Sequence, residues 1–225
     1  PQNYDRKSHG KVPMYEALAK SYNQANVRLG MQVGVDKVLQ QLKKMGVDQF
    51  IPAYPSALLG AVEMSPLQVN QVYQTIAGNG FYSPLSLVRQ VTEANGQLLS
   101  HFPFAVRQAA SNDATYLLQH EMRMAAHYGT AKGVYQYLPK QQQVSAKTGT
   151  TNDLKDSWFA GFSGQHVATV WLGREDAKPT PLTGAGGALH VWAQLMQHLA
   201  YTSYKDIKPQ LIEYYHLNAK TGKAM

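Results

Sequence analysis

Three segments rich in apolar residues follow one another closely along the chain, and their spacing constrains the fold more than any other feature. They cover residues 142–149, 157–162 and 166–172, and in the third the side chains alternate regularly between two faces. Alternation over such a length is typical of a strand. Because the links between the segments are short, the three strands are expected to be antiparallel neighbours in one sheet.

Helical patterns lie on both sides of these strands. Over residues 14–46 apolar residues recur at helical spacing, and a break near Gly30 to Gly34 divides the pattern into two predicted helices. Further helices are expected after Ser65-Pro66, Ser111-Asn112-Asp113 and Gly186-Gly187, and Asn95-Gly96 predicts a hairpin turn. The sequence therefore predicts an α/β (α+β) fold in which helices sandwich an antiparallel sheet.

The composition excludes several classes of function. The 225 residues are 44% hydrophobic, and the absence of cysteine excludes disulfides and thiolate chemistry. The net charge is +7, but the basic residues are scattered, so we expect no nucleic-acid partner. No apolar run reaches the roughly 18 residues of a membrane span, so we expect none in this chain. The chain begins abruptly at Pro1, and we interpret it as a fragment or a processed piece.

The stretch Lys147-Thr148-Gly149-Thr150-Thr151 carries the clearest chemical signal, at the end of the first predicted strand. Lys147 supplies a compact positive charge with three donors, and the Thr hydroxyls can hydrogen-bond a carboxylate. Gly149 has no Cβ, so a substrate can lie against the backbone there. The stretch indicates a strand edge that grips an anionic ligand.

The letters of this stretch are not sufficient by themselves, because residues 219–222 repeat the Ala-Lys-Thr-Gly of residues 146–149. The second copy follows Asn218 in a polar tail, where a hairpin turn is expected. Only the first copy follows a strand and continues into two further Thr residues. Context therefore favours Lys147 over Lys220 as the functional lysine.

The triplet Ser21-Tyr22-Asn23 is placed near the start of the first predicted helix, and two interpretations of it remain open. Ser is common at helix N-caps, which requires no function. Alternatively, the Ser21 hydroxyl acts in proton transfer and the Asn23 amide anchors a substrate.

Metal and cofactor sites are not expected. His120-Glu121 is followed by His127, with no ligand at the spacing that a helical zinc motif requires. The Gly-rich residues 184–187 lack the Lys and hydroxyl residue that follow in a phosphate-binding loop.

Several motifs occur in one order along the chain: Ser21-Tyr22-Asn23, residues 59–67, residues 76–80, Lys147 to Asp153, and residues 156–161. Together they resemble the transpeptidase domain of class A (bifunctional) penicillin-binding proteins, over nearly the whole chain. Lys-Thr-Gly is a known motif of these proteins and of serine β-lactamases. The resemblance implies that residues 1–205 are the C-terminal portion of that domain and that residues 206–225 are a short C-terminal extension.

The resemblance implies a peptidoglycan cross-linking D,D-transpeptidase, in which a Ser attacks a D-Ala-D-Ala stem peptide and β-lactams trap that Ser. Ser21 would relay a proton to the leaving amine, Asn23 would hold an amide of the substrate, and Lys147 would lend positive potential.

The remaining roles fall on the strand that carries Lys147. Thr148 and Thr150 would bind the substrate carboxylate, with Gly149 and Thr151 in the same binding stretch. The backbone N–H of Thr150 would complete an oxyanion hole.

The nucleophile itself is not expected in this chain. The family's nucleophile lies in a Ser-x-x-Lys motif at the start of a buried helix, and here only Ser8-His9-Gly10-Lys11 matches. Gly10 and Pro13 interrupt the helix that the motif needs. The resemblance therefore implies an upstream segment that carries the nucleophile helix and two sheet strands, which would leave the edge at residues 166–172 uncovered here.

The same resemblance implies a periplasmic protein, anchored to the inner membrane by an upstream segment and carrying a glycosyltransferase as well. Two alternatives remain. A D,D-carboxypeptidase or serine β-lactamase would hydrolyse the acyl-enzyme, against which residues 156–161 and the C-terminal tail argue. A non-catalytic β-lactam-binding sensor or scaffold would lack the upstream Ser-x-x-Lys.

Overall fold

The computed structural model describes residues 1–202 and 207–216. Within these residues the helices are α1 (Met14–Lys20), α2 (Asn23–Val33), α3 (Val35–Lys44), α4 (Pro66–Ala77), α5 (Asn112–His127) and α6 (Ala188–His198). The strands are β1 (Phe81–Tyr82), β2 (Gln90–Thr92), β3 (Leu98–His101), β4 (Arg107–Gln108), β5 (Ser145–Thr150), β6 (Ser157–Ser163) and β7 (His166–Leu172). Short 3₁₀ helices cover Pro55–Leu59, Lys132–Gln136 and Asn152–Leu154. The predicted α/β (α+β) class is confirmed.

The central sheet holds β5, β6 and β7 in that order, and both strand pairs are antiparallel, as the short links predicted. Lys147 of β5 lies opposite Ala160 of β6, and Ala160 lies opposite Thr169 of β7. The first strand begins at Ser145 rather than at Gln142, because the Gln142 N–H belongs to a turn and donates to the carbonyl of Pro139.

Helices cover both faces of this sheet. Successive side chains of a strand point to opposite sides, so apolar side chains on both faces need to be buried. On one face Phe159 packs against Trp192 of α6, and both side chains are fully buried. On the other face Phe162 shares a core with Ile76 of α4 and Met122 of α5. Burial of each large side chain contributes about 2–3 kcal/mol. The predicted sandwich of helices around the sheet is thus confirmed.

The N-terminal helical region is divided at two points rather than one. The predicted break is present at Gly34, but a second break at Ser21 separates α1 from α2, so the prediction of two helices is wrong there. Ser21 closes a helix instead of opening one. Its N–H donates to the carbonyl of Leu18, and the N–H of Tyr22 donates to that of Ala17, which is the Schellman arrangement of a helix C-terminus.

Helix starts predicted from serine are confirmed at α4 and α5. Ser65 Oγ accepts from the Gln68 N–H at 3.2 Å while the Gln68 side chain accepts from the Ser65 N–H at 2.8 Å, a capping box. Ser111 Oγ accepts from the Ala114 N–H at the start of α5. The predicted hairpin is formed by β2 and β3, whereas the β1–β4 pair is too short for alternation to reveal.

The C-terminal extension is described only over residues 207–216, which form no helix or strand. The Tyr214 hydroxyl in this segment contacts the hydroxyl of Tyr116 on α5. The repeated letters at residues 219–222, and the turn expected there, lie outside the described residues. The boundary at residue 205 stays a prediction. In the described ranges no helix combines the length and apolarity needed to cross a membrane.

Candidate functional site

Two of the predicted site residues meet directly. Lys147 Nζ donates a hydrogen bond to Ser21 Oγ at 2.9 Å, although 126 positions separate the two residues. The same Nζ donates to the carbonyl of Thr148 at 3.0 Å, which fixes the ammonium. The fold thus places the C-terminal end of α1 against the strand that carries the Lys-Thr-Gly letters.

An unusual backbone conformation positions the Ser21 hydroxyl. Ser21 has φ 60° and ψ 44°, in the left-handed region that residues with a Cβ rarely occupy. Glycine is the usual residue at this point of a Schellman motif, and another residue costs about 1 kcal/mol there. Strain of this kind clusters at functional sites, where it fixes a side chain in place.

Burial changes the acidity of Lys147. Removal of the ammonium from water lowers its pKa from 10.5 to about 8. Within the described residues no carboxylate forms an ion pair with Lys147. An anionic ligand would therefore find an unpaired cation that is still mostly charged at neutral pH.

The Thr148 side chain is oriented by a residue from another element. Thr148 Oγ1 donates to Thr130 Oγ1 at 2.7 Å, and Thr130 lies in the turn after α5. The Thr130 N–H donates to the carbonyl of Ala19 at 3.0 Å. A Cβ at Gly129 would come within 2.1 Å of that Ala19 oxygen, so this turn needs glycine. One turn thus packs against both α1 and β5.

β5 pairs with β6 along one edge, and its other edge exposes backbone groups. The Thr151 N–H donates to the carbonyl of Asp156, so residues 151 and 156 form a hydrogen-bonded pair of the antiparallel ladder. Such pairs alternate with pairs whose N–H and C=O groups point away from the partner strand. Thr150 lies opposite Ser157 in a pair of the second kind. Its backbone N–H therefore points to the open edge, as an oxyanion donor must.

The Thr150 hydroxyl is held by a loop that precedes α6. Thr150 Oγ1 accepts from the Gly184 N–H at 2.9 Å, which leaves its own O–H available as a donor. A Cβ at Gly184 would lie 2.6 Å from the carbonyl oxygens of Gly149 and Trp158. The close approach of this loop to the strand thus depends on glycine.

The Thr151 hydroxyl forms hydrogen bonds within the protein. Its hydroxyl donates to Asp156 Oδ2 at 2.8 Å and accepts from the Asp156 N–H at 2.9 Å. The other oxygen of the same carboxylate accepts from Trp171 Nε1 at 2.9 Å. Asp156 therefore ties the end of β5 to β7, and the predicted ligand contact of Thr151 stays a prediction.

The predicted contact of Asn23 with a substrate also stays a prediction. Asn23 Nδ2 donates to the carbonyl of Gln2 at 2.8 Å. Next to it, Asn3 Oδ1 accepts from the Gln24 N–H at 3.1 Å and so caps α2, whose own N-cap residue Tyr22 makes no side-chain cap. The N-terminal segment thus holds the Ser-x-Asn turn from one side.

The Ser8-x-x-Lys11 match lies outside any helix, in the segment before α1. Its two residues therefore do not share a helix face, as the family motif requires. In the described part of the chain no group of three or more His, Asp and Glu residues is placed to hold a metal ion.

A cleft of about 690 Å³ lies beside Lys147, Thr148, Gly149, Thr150 and Thr151. Its other walls are largely apolar and include Leu59, Val62, Met64, Val69, Tyr73, Trp158 and Trp171. The arrangement can hold an anion at the strand and an apolar body against α4.

Sequence reasoning missed three residues that support this site: Thr130, Asp156 and Gly184. Asp156 belongs to one of the ordered motifs, but its residue type alone indicates no role. Gly184 lies in a Gly-rich run that was compared only with phosphate loops. Thr130 follows a helix end without any pattern, and only the tertiary structure brings it to Thr148.

Known proteins resemble this chain in sequence. The family model described as the penicillin binding protein transpeptidase domain matches residues 1–188. Penicillin-binding protein 1B of Vibrio cholerae is 45% identical over 203 residues, which are 88% of this chain and 26% of that protein. Penicillin-binding protein 1B of Escherichia coli is 37% identical over 215 residues, 93% of this chain and 25% of that protein. The chain spans about a quarter of the length of these relatives.

Solved structures share the fold. Penicillin-binding protein 1A from Haemophilus influenzae has a TM-score of 0.88 at 20% identity, over 100% of this chain and 40% of that one. The PonA1 protein of Mycobacterium tuberculosis, in complex with penicillin V, has a TM-score of 0.79 at 23% identity, over 99% of this chain and 64% of that one. The resemblance inferred from the motifs is confirmed.

Proposed function

We propose a function from the premise that this chain belongs to the penicillin-binding protein transpeptidase domain family: it forms one wall of the active site of a peptidoglycan cross-linking D,D-transpeptidase. The enzyme would transfer the acyl group of a stem peptide from its terminal D-Ala to an amine on a neighbouring peptidoglycan strand, through a serine acyl-enzyme. The observation that carries the proposal is the Lys147–Ser21 hydrogen bond beside an open strand edge.

The attacking serine would come from an upstream segment of the same protein, with its Ser-x-x-Lys motif. Two features support this. The cleft beside Lys147 has an apolar wall on α4, suited to a buried helix. Strand β7 pairs only with β6 among the described residues, so its outer edge can accept a further strand.

In the acylation step, the serine Oγ would form a bond to the penultimate D-Ala carbonyl carbon while the bond to the terminal D-Ala nitrogen breaks. The lysine of the upstream motif would take the serine proton. Ser21 would relay a proton to the departing amine. Because Lys147 is the donor in their hydrogen bond, the O–H of Ser21 stays free to point at the substrate.

The substrate carboxylate would lie at the open edge of β5. Thr150 has a free hydroxyl hydrogen there, and Lys147 contributes an unpaired positive charge. The outward N–H of Thr150 would share the oxyanion with the N–H of the attacking serine, and one such donor is worth about 3 kcal/mol of the barrier. β-Lactams would occupy the same positions and acylate the same serine. Asn23 would hold an amide of the stem peptide.

This chain spans about a quarter of the length of its relatives. From the resemblance to the bifunctional class, we expect a glycosyltransferase domain, an inner-membrane anchor and a periplasmic location. The proposed ligands are stem peptides and β-lactams, with no metal or cofactor.

Labelling of the complete protein with a fluorescent penicillin tests the proposal. Lys147→Ala should abolish labelling, whereas the matched substitution Lys220→Ala, in the second Lys-Thr-Gly copy, should leave it unchanged. Equal losses from both variants would refute the assignment of Lys147. Full labelling of the Lys147 variant would refute its role in acylation.

A further inference from the structure

A second cavity lies near β5, and its lining is basic. It has a volume of about 590 Å³, and its lining includes Lys132, Lys140 and His127 but no Asp or Glu. Lys132 and Lys140 are exposed, and neither forms an ion pair with a carboxylate in the described part of the chain. The cavity therefore presents unneutralised positive charge to a ligand.

Two wall residues connect this cavity to Thr148 and Thr150 of β5. Thr130 lines the cavity and accepts the hydrogen bond from Thr148. Ala185 also lines it and follows Gly184, whose N–H binds the Thr150 hydroxyl. One residue, Thr130, thus separates the cavity from Thr148, and two residues, Ala185 and Gly184, separate it from Thr150.

The cavity wall is ordered by contacts of its own. The His127 ring stacks on Tyr135 with 5.1 Å between the ring centroids. The Tyr135 hydroxyl donates to the carbonyl of Gln142 at 3.1 Å. The first contact holds the 3₁₀ helix Lys132–Gln136 to the end of α5, and the second holds it to the segment that enters β5, so the basic side chains project from a defined surface.

We propose that this cavity binds a carboxylate of the acceptor stem peptide, the strand whose amine completes the cross-link; this inference rests on the proposed function. Thr150, next to Thr148, would hold the carboxylate of the leaving D-Ala, so the leaving group departs along their side of the acyl carbon. The acceptor amine attacks the same carbon and enters where the leaving amine departed. The acceptor peptide then extends past these two residues toward Lys132 and Lys140.

The bond changes of the step define what the cavity does. The acceptor nitrogen forms a bond to the acyl carbon, the ester bond to the serine Oγ breaks, and the amine proton returns to that oxygen. Water can replace the amine and give hydrolysis instead. A site that holds an acidic acceptor raises the effective concentration of its amine and so favours transfer over hydrolysis.

The test uses the complete protein, a D-Ala-D-Ala donor peptide and two acceptor peptides that differ only in whether a carboxylate is free or amidated. The product ratio of transfer to hydrolysis is measured. We expect Lys132→Gln with Lys140→Gln to lower that ratio about tenfold for the acidic acceptor, since charge-assisted contacts are worth that much. The amidated acceptor should give a low ratio that the variant does not change.

A matched double variant, Lys37→Gln with Lys44→Gln, removes the same charge from the exposed side of α3 and should behave as wild type. An unchanged ratio in the cavity variant, an equal fall in the control, or loss of penicillin acylation in the cavity variant would overturn the inference. Failure of the wild-type protein to be acylated by penicillin would instead overturn the proposed function.

Discussion

The Lys147 ammonium and the Ser21 hydroxyl are joined by a hydrogen bond of 2.9 Å that links a strand to the end of a helix. Its geometry depends on the turn at Gly129-Thr130, which contacts Ala19 of α1 through the Thr130 N–H and Thr148 of β5 through the Thr130 hydroxyl. The position of Lys147 relative to Ser21 therefore depends on α1, on this turn and on β5. A change in any of the three should alter the hydrogen bond between them.

Ser21→Gly should separate the stability of the site from its chemistry. Glycine relieves the left-handed strain, so the glycine variant should be about 1 kcal/mol more stable than Ser21→Ala, which keeps the Cβ. Both variants lack the hydroxyl and should lose acylation of the complete protein by penicillin. Denaturant unfolding and labelling measure the two effects. Greater stability of the alanine variant would contradict the assigned strain.

Lys147→Met should stabilise the protein at neutral pH. The folded state holds the pKa of Lys147 at about 8, against 10.5 in the unfolded chain, so burial of the charge costs about 3 kcal/mol below pH 8. Between these values the unfolded state binds more protons, and wild-type stability rises with pH.

The stability gain of Lys147→Met should therefore be largest below about pH 8 and should shrink as the pH approaches 10.5. Unfolding of both proteins is compared across this range. A gain that does not vary with pH would mean that the ammonium is not buried as described.

Thr130→Val should weaken acylation without touching the substrate. The change keeps the side-chain shape but removes the acceptor of the Thr148 hydroxyl, which should cost about 1 kcal/mol, or about fivefold in the acylation rate constant. Thr92→Val, on the exposed strand β2, is the matched control. The hypothesis fails if both variants acylate at the wild-type rate.

Gly184→Ala should destabilise the domain by about 1–3 kcal/mol, because the new Cβ overlaps two carbonyl oxygens at 2.6 Å. Gly186→Ala is a control in the same loop, where the nearest atom lies at 3.1 Å and belongs to a Thr side chain. Thermal unfolding compares them. Equal shifts in Tm would show that the loop moves away from β5 at little cost.

The sequence revealed those parts of the fold that depend on short-range patterns. Short segments rich in apolar residues, with alternation in the third, indicated the three strands, and Ser65 and Ser111 indicated two helix starts, because these signals lie within a few residues. The break at Ser21 was missed because a serine rather than a glycine occupies the left-handed position. Nothing in the local pattern favours that conformation, which only the contacts around α1 and α5 stabilise.

The site could be predicted only as separate motifs. Lys147 was predicted from its residue type and strand context, and the role of Ser21 came from the resemblance. Their contact was not derivable, since it joins positions 126 apart. Thr130 carries no motif at all. Thr151 illustrates the converse: its hydroxyl suits a ligand by type, but Asp156 already accepts its one hydrogen and donates to one of its two acceptor positions.

The central claim is that Lys147 and Ser21 serve a nucleophile supplied from outside these 225 residues. The most direct measurement is peptide mass mapping of the penicillin adduct in the complete protein. The account predicts the adduct on a serine followed three residues later by lysine, in a peptide that precedes Pro1. An adduct on Ser8, on Ser21 or on any other residue of this chain would contradict it.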